Sequence, residues 1–276
     1  EAVMQRICAN DVGVPAERVV YTTMLNRHGG IEADLTVTRL CEDRYMVVTG
    51  GAGERRDFHW IEQSIPDGAH AFLTNVTSAY AVLGVMGPKS RELLSGLTGA
   101  DLSNEAFPFL SSREIEIGHA VVRATRITYV GELGWELYVP TEFATHVYDV
   151  LVHKGQEHGM RHAGFHAMDS LRVEKGYRAW GSDLTDQDTP VEAGLRFAVA
   201  FEKAVEFNGK SALLRQIEQG VKNRLVAFTL NDPDPLLLGD EPIYRNGAVV
   251  CRTTSGTLGH TLARSVPVGA FENAPS

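Results

Sequence analysis

The chain has 276 residues, enough to bury a full core in one large domain or two moderate ones. Its 43% hydrophobic and 22% charged content is that of a globular protein, and no apolar run approaches the roughly 18 residues that cross a membrane as a helix. A formal net charge of −9 argues against nucleic acid as a partner, because phosphate backbones recruit basic surfaces.

In chain order, residues 1–12 read as a helix with Val3, Met4 and Ile7 on one face. The chain enters it without a cap, and the expectation is that the natural protein continues upstream. Residues 17–24 and 34–40 alternate like strands, joined by LNRHGG, where Gly29 and Gly30 supply the positive φ of a turn. Residues 44–50 form a third strand ending in TGGAGER. Gly51-Ala-Gly53 lacks the third glycine of a dinucleotide fingerprint and has no βαβ context, so it is expected to be a turn with close backbone approach.

A short helix follows at 57–65, then a strand-like stretch 71–87 and a helix 88–99 with Pro88 at its start. Residues 101–111 are loop, and 113–140 read as a meander of short antiparallel strands. Thr141 is placed to cap a helix over 142–159. The helix 164–178 carries a Phe165, Met168, Leu171 stripe, with Asp169–Arg172 and Glu174–Arg178 at ion-pair spacing. A polar loop, a helix near 210–220 and a strand at 224–230 come next. Asn246-Gly247 then signals a type I′ hairpin turn. The reading is an α+β domain over 1–220 and a small β-barrel over 221–276, short of a strand at its polar end.

Familiar catalytic signatures are missing from the sequence: no GxSxG, no Walker A loop, no HExxH and no paired CxxC. Cys8, Cys41 and Cys251 are too sparse for a disulfide framework and read as reduced, mostly buried thiols. With no secretory leader in the first twenty residues, they suit a cytoplasmic protein, or a mitochondrial-matrix one if the source is eukaryotic. The ten histidines show no ligand spacing, so no metal is expected.

Two strand regions carry acids that stand out. Asp34 follows the double-glycine turn, where a carboxylate can face a cleft while Leu35 and Val37 pack behind it, or can merely close the turn. Glu136 lies inside WELYV, on the same face as Tyr138 and opposite Trp135, Leu137 and Val139. If that face is solvated, Glu136 is an ordinary surface residue. If both faces are covered, it must find hydrogen-bond donors. Pattern alone leaves both readings open.

Five blocks in order, LNRHGGIEADLTVTRL, YVGELGWELYVP, GFHAMDSLRVEKGYRAWGSDLT, DTPVEAGLRFAV and FNGKSALL, resemble the aminomethyltransferase (glycine cleavage T-protein) superfamily. The variant is closer to the folate-binding portion of dimethylglycine and sarcosine dehydrogenases and oxidases than to the stand-alone T-protein. Met168 departs from the arginine that T-proteins usually carry there. The resemblance implies a folate-binding fold with a central channel and a C-terminal β-barrel. It implies Asp34 as the catalytic carboxylate and Tyr129 and Glu136 as the residues that pack on and hydrogen-bond the pterin. It also implies Asn26, Val48 and Gly50 as further lining. Glu136 is thereby expected to face a cavity shared with Asp34.

The implied cofactor is tetrahydrofolate, with FAD on a separate domain or partner. The implied function is capture of an iminium or formaldehyde-level carbon from a methylated amine, giving 5,10-methylenetetrahydrofolate within an amine oxidoreductase. Glycine cleavage with a lipoyl carrier, folate-dependent demethylation of a sulfonium and a non-catalytic folate-binding scaffold are the alternatives.

Overall fold

The structure, a computed structural model, describes residues 1–232 and 234–272. Its first layer is an antiparallel sheet in the order β1 (Val19–Leu25), β2 (Ile31–Arg39), β3 (Tyr45–Val48), covered by α1 (Ala2–Ile7) and α2 (Glu54–Ser64). Alternation along β2 sends Ala33, Leu35 and Val37 into a core with Ile7, Val20, Met24 and Ile61. It leaves Glu32, Asp34 and Thr36 only half-buried on the opposite face.

α1 is shorter than the apolar spacing predicts. It stops at Ile7 because Cys8 turns extended and bridges Met24, while Ala9 N–H donates to Thr23 O at 2.9 Å. Lys203 Nζ donates to the carbonyls of Gln5, Cys8 and Asn10 at 2.6, 2.5 and 3.0 Å. The ammonium thus satisfies acceptors at the helix C-terminal end that no further turn provides for.

The second layer is a four-stranded antiparallel sheet, made of β4 (Tyr80–Met86), β5 (Ser112–Ile117), β6 (Ala120–Thr125) and β7 (Gly134–Pro140) in the order β4-β7-β6-β5. The helices α3 (Ser90–Ser95) and α4 (Ala144–Gly155) pack on it. Trp135, Leu137 and Val139 are fully buried here with Phe107, Val122, Val147 and Leu151. Burial of each such side chain stabilises the fold by about 1.5–3 kcal/mol. The predicted strand 71–87 is regular only from Tyr80; residues 71–76 carry no helix or strand. Thr141 does not cap α4. Its hydroxyl donates to Ser78 O at 2.9 Å, tying the end of β7 to the start of β4, and a 3-10 turn intervenes before the helix.

The third layer joins α5 (Phe165–Glu174) and α6 (Lys210–Gln219) to the sheet β8 (Asn223–Ala227), β11 (Arg264–Glu272), β10 (Ala248–Gly259), β9 (Pro242–Arg245). Asn246 and Gly247 have φ of 55° and 82°, both left-handed as a type I′ turn requires. The polar residues 273–276, where the barrel is expected to fall short of a strand, lie outside the described residues. Leu225, Val266 and Val268 share one apolar cluster with Leu25, Ile31, Val173 and Leu184, so residues on both sides of the boundary expected near 221 build a common core.

α5 overturns the predicted stripe. Phe165 is 83% exposed, and the residues that α5 buries are Ser170, Arg172 and Val173. The helix is held to β10 by polar contacts that a search for apolar spacing misses. Ser170 donates to Leu258 O at 2.8 Å, and Arg172 Nη2 donates to Ser255 Oγ at 2.9 Å. Arg172 pairs with Asp169 at 2.7 Å, as the spacing predicts, and also with the buried Asp183, whose other oxygen accepts from Thr254 at 2.6 Å. Glu174 does not meet Arg178. Its carboxylate accepts from Leu262 N–H, while Arg178 lies beyond the helix end.

Candidate functional site

The β1–β2 turn is built by Asn26. Its Oδ1 accepts from the N–H groups of His28 (2.9 Å) and Gly30 (3.0 Å), and its Nδ2 donates to Asp186 O at 2.9 Å. Gly29 has the expected positive φ of 87°, but Gly30 does not. Gly30 is required for a different reason: a Cβ there would collide with the Asp186 carbonyl. β2 therefore begins directly at Ile31, and Asp34 sits in its interior, paired with Thr23, rather than opening the strand.

Along this face Tyr21 opposes Thr36, and its hydroxyl reaches diagonally to donate to Asp34 Oδ2 at 3.0 Å. The Thr23 hydroxyl, directly across from Asp34, is buried with no hydrogen-bond partner among the described residues. On the other side Thr36 pairs with Val48, the last residue of β3, so Val48 lines the same face. Gly50 follows as the exposed entry to the 3-10 turn Gly51–Gly53 and has open space where a side chain would stand. The cluster is a turn, as read, but close approach is confined to Gly53, where a Cβ would come 2.6 Å from Asp57 Oδ2, while Gly51 has open space.

Burial raises the pKa of the Asp34 carboxyl above the usual carboxylate range. The Asp57 charge pushes the same way, and the Tyr21 hydroxyl and Arg56 pull it back. Arg56 holds Asp57 through Nε at 2.9 Å and Nη2 at 2.8 Å, and Thr49 donates to the other Asp57 oxygen. The Arg56 guanidinium also lies 3.7 Å over the Trp180 ring, whose Nε1 donates to Ile31 O at 2.8 Å. The segment 180–188 is thus fastened to the start of β2 and to α2 at once.

Tyr129 lies in the loop before β7 rather than in the strand, with Gly131 supplying a φ of 74°. Its ring stacks on Tyr177 with centroids 6.1 Å apart, and its hydroxyl donates to Arg178 O at 2.8 Å. Burial pushes that hydroxyl up to about 12; Arg172 opposes the shift and the Asp34 charge adds to it. Tyr21 responds to the same neighbours: burial raises it most, then Asp34 and Tyr129, while Arg178 lowers it. Tyr21 and Tyr129 thus both feel the Asp34 charge, and Tyr21 also feels that of Arg178.

Glu136 stands on the second sheet, opposite Gly84 on β4 and Thr125 on β6. The core side of β7 is Trp135, Leu137 and Val139, as alternation predicts. The other side is not simply solvated, because Tyr138 beside Glu136 is also buried. Tyr138 donates to Glu136 Oε2 at 2.5 Å, so Glu136 has found a donor. A Cβ on Gly84 would meet only Met86 Cε at 3.8 Å, which leaves room next to the carboxylate. Hydrogen bonds and shared charge link Asp34 to Tyr21 and Tyr129. Asn26 is occupied with the turn, and Glu136 is held by its own strand neighbour.

Sequence reasoning missed Tyr21, Thr23, Arg56, Tyr177, Arg178 and Trp180. Three of them lie in GYRAW, a stretch already set apart by its sequence, and Tyr21 and Thr23 share the polar face of β1. Among the described residues, no cluster of His, Cys, Asp and Glu is placed to hold a metal ion, and no helix is long and apolar enough to cross a membrane.

Residues 1–203 match the family model described as the GCVT N-terminal domain, and 223–275 match the glycine cleavage T-protein C-terminal barrel domain. The chain belongs to the glycine cleavage T-protein family. The T-protein fold is seen directly in the crystal structure of glycine cleavage system aminomethyltransferase T from Bartonella henselae. That structure matches with a TM-score of 0.86 at 27% identity, over 98% of this chain and 72% of that one. Among curated T-family relatives, 4-methylaminobutanoate oxidase (formaldehyde-forming) of Paenarthrobacter nicotinovorans is 43% identical over 98% of this chain and 33% of its own length. Human mitochondrial dimethylglycine dehydrogenase is 39% identical over 91% of this chain and 29% of its own. The chain spans about a third of the length of these two relatives.

Proposed function

We propose that this T-family chain is a tetrahydrofolate-dependent one-carbon transfer module. It captures an iminium or formaldehyde-level carbon from a methylated amine of the dimethylglycine or sarcosine type, giving 5,10-methylenetetrahydrofolate. The oxidation that creates the electrophile belongs to a FAD-binding domain or partner separate from this chain. Support comes from the relatives, one named as formaldehyde-forming and one as a dimethylglycine dehydrogenase. The folate-binding domain is taken as 1–220 and the barrel as 221–276, in a cytoplasmic or mitochondrial-matrix setting.

The observation that carries the reading is the state of Asp34: a half-buried carboxyl with a raised pKa, held by the Tyr21 hydroxyl on a strand face it shares with Thr23 and Val48. A raised pKa makes a carboxylate a better proton acceptor than an ordinary surface acid. Bound tetrahydrofolate supplies the nucleophilic nitrogen, and the transfer consumes the iminium and returns the free amine and one proton. The Asp34 oxygen not engaged by Tyr21 takes up the proton released on capture. Its negative charge also stabilises the cationic electrophile before capture. Tyr21 fixes the carboxylate's orientation, which pre-organises that exchange.

The residues fit a pterin. Glu136 has lone pairs beyond the one engaged by Tyr138, and a carboxylate can accept both the N3–H and the 2-amino group of the pterin edge. Tyr129, backed by Tyr177, supplies a flat apolar wall. Val48 and Gly50 line the Asp34 side, and Asn26 shapes the turn that positions β2.

The test is calorimetric titration of the chain with tetrahydrofolate, followed by formaldehyde trapping from an iminium donor with and without it. Saturable binding together with folate-dependent loss of free formaldehyde is expected. Binding without that loss would leave only a folate scaffold, and no binding would remove the assignment.

A further inference from the structure

Thr23 is 0% exposed, and its hydroxyl has no hydrogen-bond partner among the described residues. The adjacent Thr22 is equally buried but points to the other face of β1, where its Oγ1 accepts from Asn10 N–H at 2.9 Å. A buried hydroxyl that bonds nothing is disfavoured against an apolar side chain of the same shape, and valine has that shape.

The position of Thr23 supplies a reason for the hydroxyl. Thr23 and Asp34 are direct partners in the antiparallel β1–β2 register. The side chains of such a pair share one face, with Cβ atoms about 4.5–5.5 Å apart, within reach of a hydroxyl and a carboxylate. Tyr21, two residues back along β1 and so on that face too, already donates to Asp34 Oδ2 at 3.0 Å. Among the described residues no other side chain donates to this carboxyl, and its own N–H is the backbone donor that favours the charged form. An unpaired donor and a carboxyl with one oxygen free of side-chain donors thus stand on the same rung of the ladder.

We infer that Thr23 is a positioning residue for Asp34: its hydroxyl turns by one χ1 well to donate to the oxygen that Tyr21 leaves free when Asp34 is ionised, and lets go when Asp34 takes a proton. This deepens, and rests on, the reading of Asp34 as the proton acceptor in one-carbon transfer. The hydroxyl and methyl of threonine are close in size, so exchanging them between staggered wells changes the packing little. A bond to a charged acceptor is stronger than one to a neutral acceptor, which makes the donor follow the charge.

In the ionised site Tyr21 and Thr23 then hold one oxygen each and fix the plane of the carboxylate. The second donor works with Tyr21 and Arg56 against the burial and the Asp57 charge that favour the neutral form. Glu32, half-buried on the same face of β2, and the Tyr129 hydroxyl, which feels the Asp34 charge, are further ionisable groups on this side.

The experiment is carbon-13 NMR across a pH titration of the native chain, Asp34→Asn, Thr23→Val and Thr23→Ser, all without folate. The Asp34 carboxyl signal is the one absent from Asp34→Asn. In the native chain the three-bond couplings that report Thr23 χ1 should change with the Asp34 midpoint, and in Asp34→Asn they should stay constant. Thr23→Val should raise the Asp34 midpoint by about one pH unit, the difference between bonding the charged and the neutral form. Thr23→Ser, which keeps the hydroxyl, should stay near the native midpoint. A hydroxyl that merely fills space predicts another pattern, in which Thr23→Val melts higher and leaves the Asp34 midpoint in place. An unmoved midpoint in Thr23→Val, or a Thr23 rotamer that is the same on both sides of the native midpoint, overturns the inference. The rotamer measurement needs no Thr23 variant to fold. Neither readout involves folate, so a native chain that fails to bind tetrahydrofolate overturns the transfer reading and is told apart from failure of the Thr23–Asp34 link.

Discussion

Asp34→Asn separates the chemistry of the site from its architecture. The amide keeps the side chain's size and an oxygen for the Tyr21 hydroxyl, which lies 3.0 Å from the native carboxylate, but it cannot take up a proton. Loss of a positioned general base slows turnover by about 10²–10⁴-fold. That is about 3–5 kcal/mol of transition-state stabilisation, at about 1.4 kcal/mol per factor of ten. Folate affinity should change little, since Glu136 and Tyr129 are untouched.

Stability should move the other way. The folded Asp34 carboxyl titrates above its unfolded value, so folding favours the neutral form. That stabilisation is complete below the unfolded pKa of about 3.9 and is lost as pH rises through the raised folded value. Asn is neutral throughout, so the variant should melt higher than the native chain near pH 7, and the two curves should converge in acid. Tyr21 reduces the gain, because a bond to a charged acceptor is worth about 1.5–3 kcal/mol against about 1 for a neutral one. Burial is nevertheless the largest cause of the shift, so the sign holds. Single-turnover formaldehyde trapping and melting curves across that pH range measure both effects. Native transfer rates in Asp34→Asn, or a lower melting temperature near neutrality, would refute the reasoning.

Glu136→Gln should weaken tetrahydrofolate binding by about 1–3 kcal/mol, the cost of losing a charge-assisted acceptor, and an unchanged calorimetric Kd would remove Glu136 from the pocket. Tyr21→Phe deletes a hydrogen bond that holds the Asp34 carboxyl down, so the acid limb of the pH–rate profile should move to higher pH; a limb that stays put disconnects Tyr21 from the base. Arg172→Ala leaves the buried Asp183 unpaired and should cost about 3–5 kcal/mol in urea unfolding. Trp135→Ala, at a fully buried position, should cost about 3–5 kcal/mol, with a urea midpoint near the native one as the contrary result.

The family was legible in the order of the motifs, and little of the candidate site was legible in periodicity. Alternation correctly divided β7 into a core face with Trp135 and a second face with Glu136. It could not show that Tyr138 is buried on that second face and bonds the carboxylate, because coverage of a sheet face is decided by distant segments. The helical stripe on α5 misled for a related reason. Its contact with β10 is made by Ser170 and Arg172, residue types that a search for apolar spacing passes over.

The sequence by itself determined what each short stretch can do. Asn-Gly closes a type I′ turn at 246–247, alternation buries Leu35 and Val37 behind Asp34, and five ordered blocks identify the family. These are properties of neighbouring residues, set by φ preferences and the two-residue period of a strand. Only the tertiary structure decided which residues share the site. Tyr21 and Asp34 are 13 positions apart and Tyr129 and Arg178 are 49 apart, yet each pair is joined by a hydrogen bond. Strand register and the docking of 180–188 on the β1–β2 turn bring them together. Gly30 shows the difference within one residue. Its sequence neighbourhood reads as a turn, but what requires glycine there is the carbonyl of Asp186, which only folding brings near.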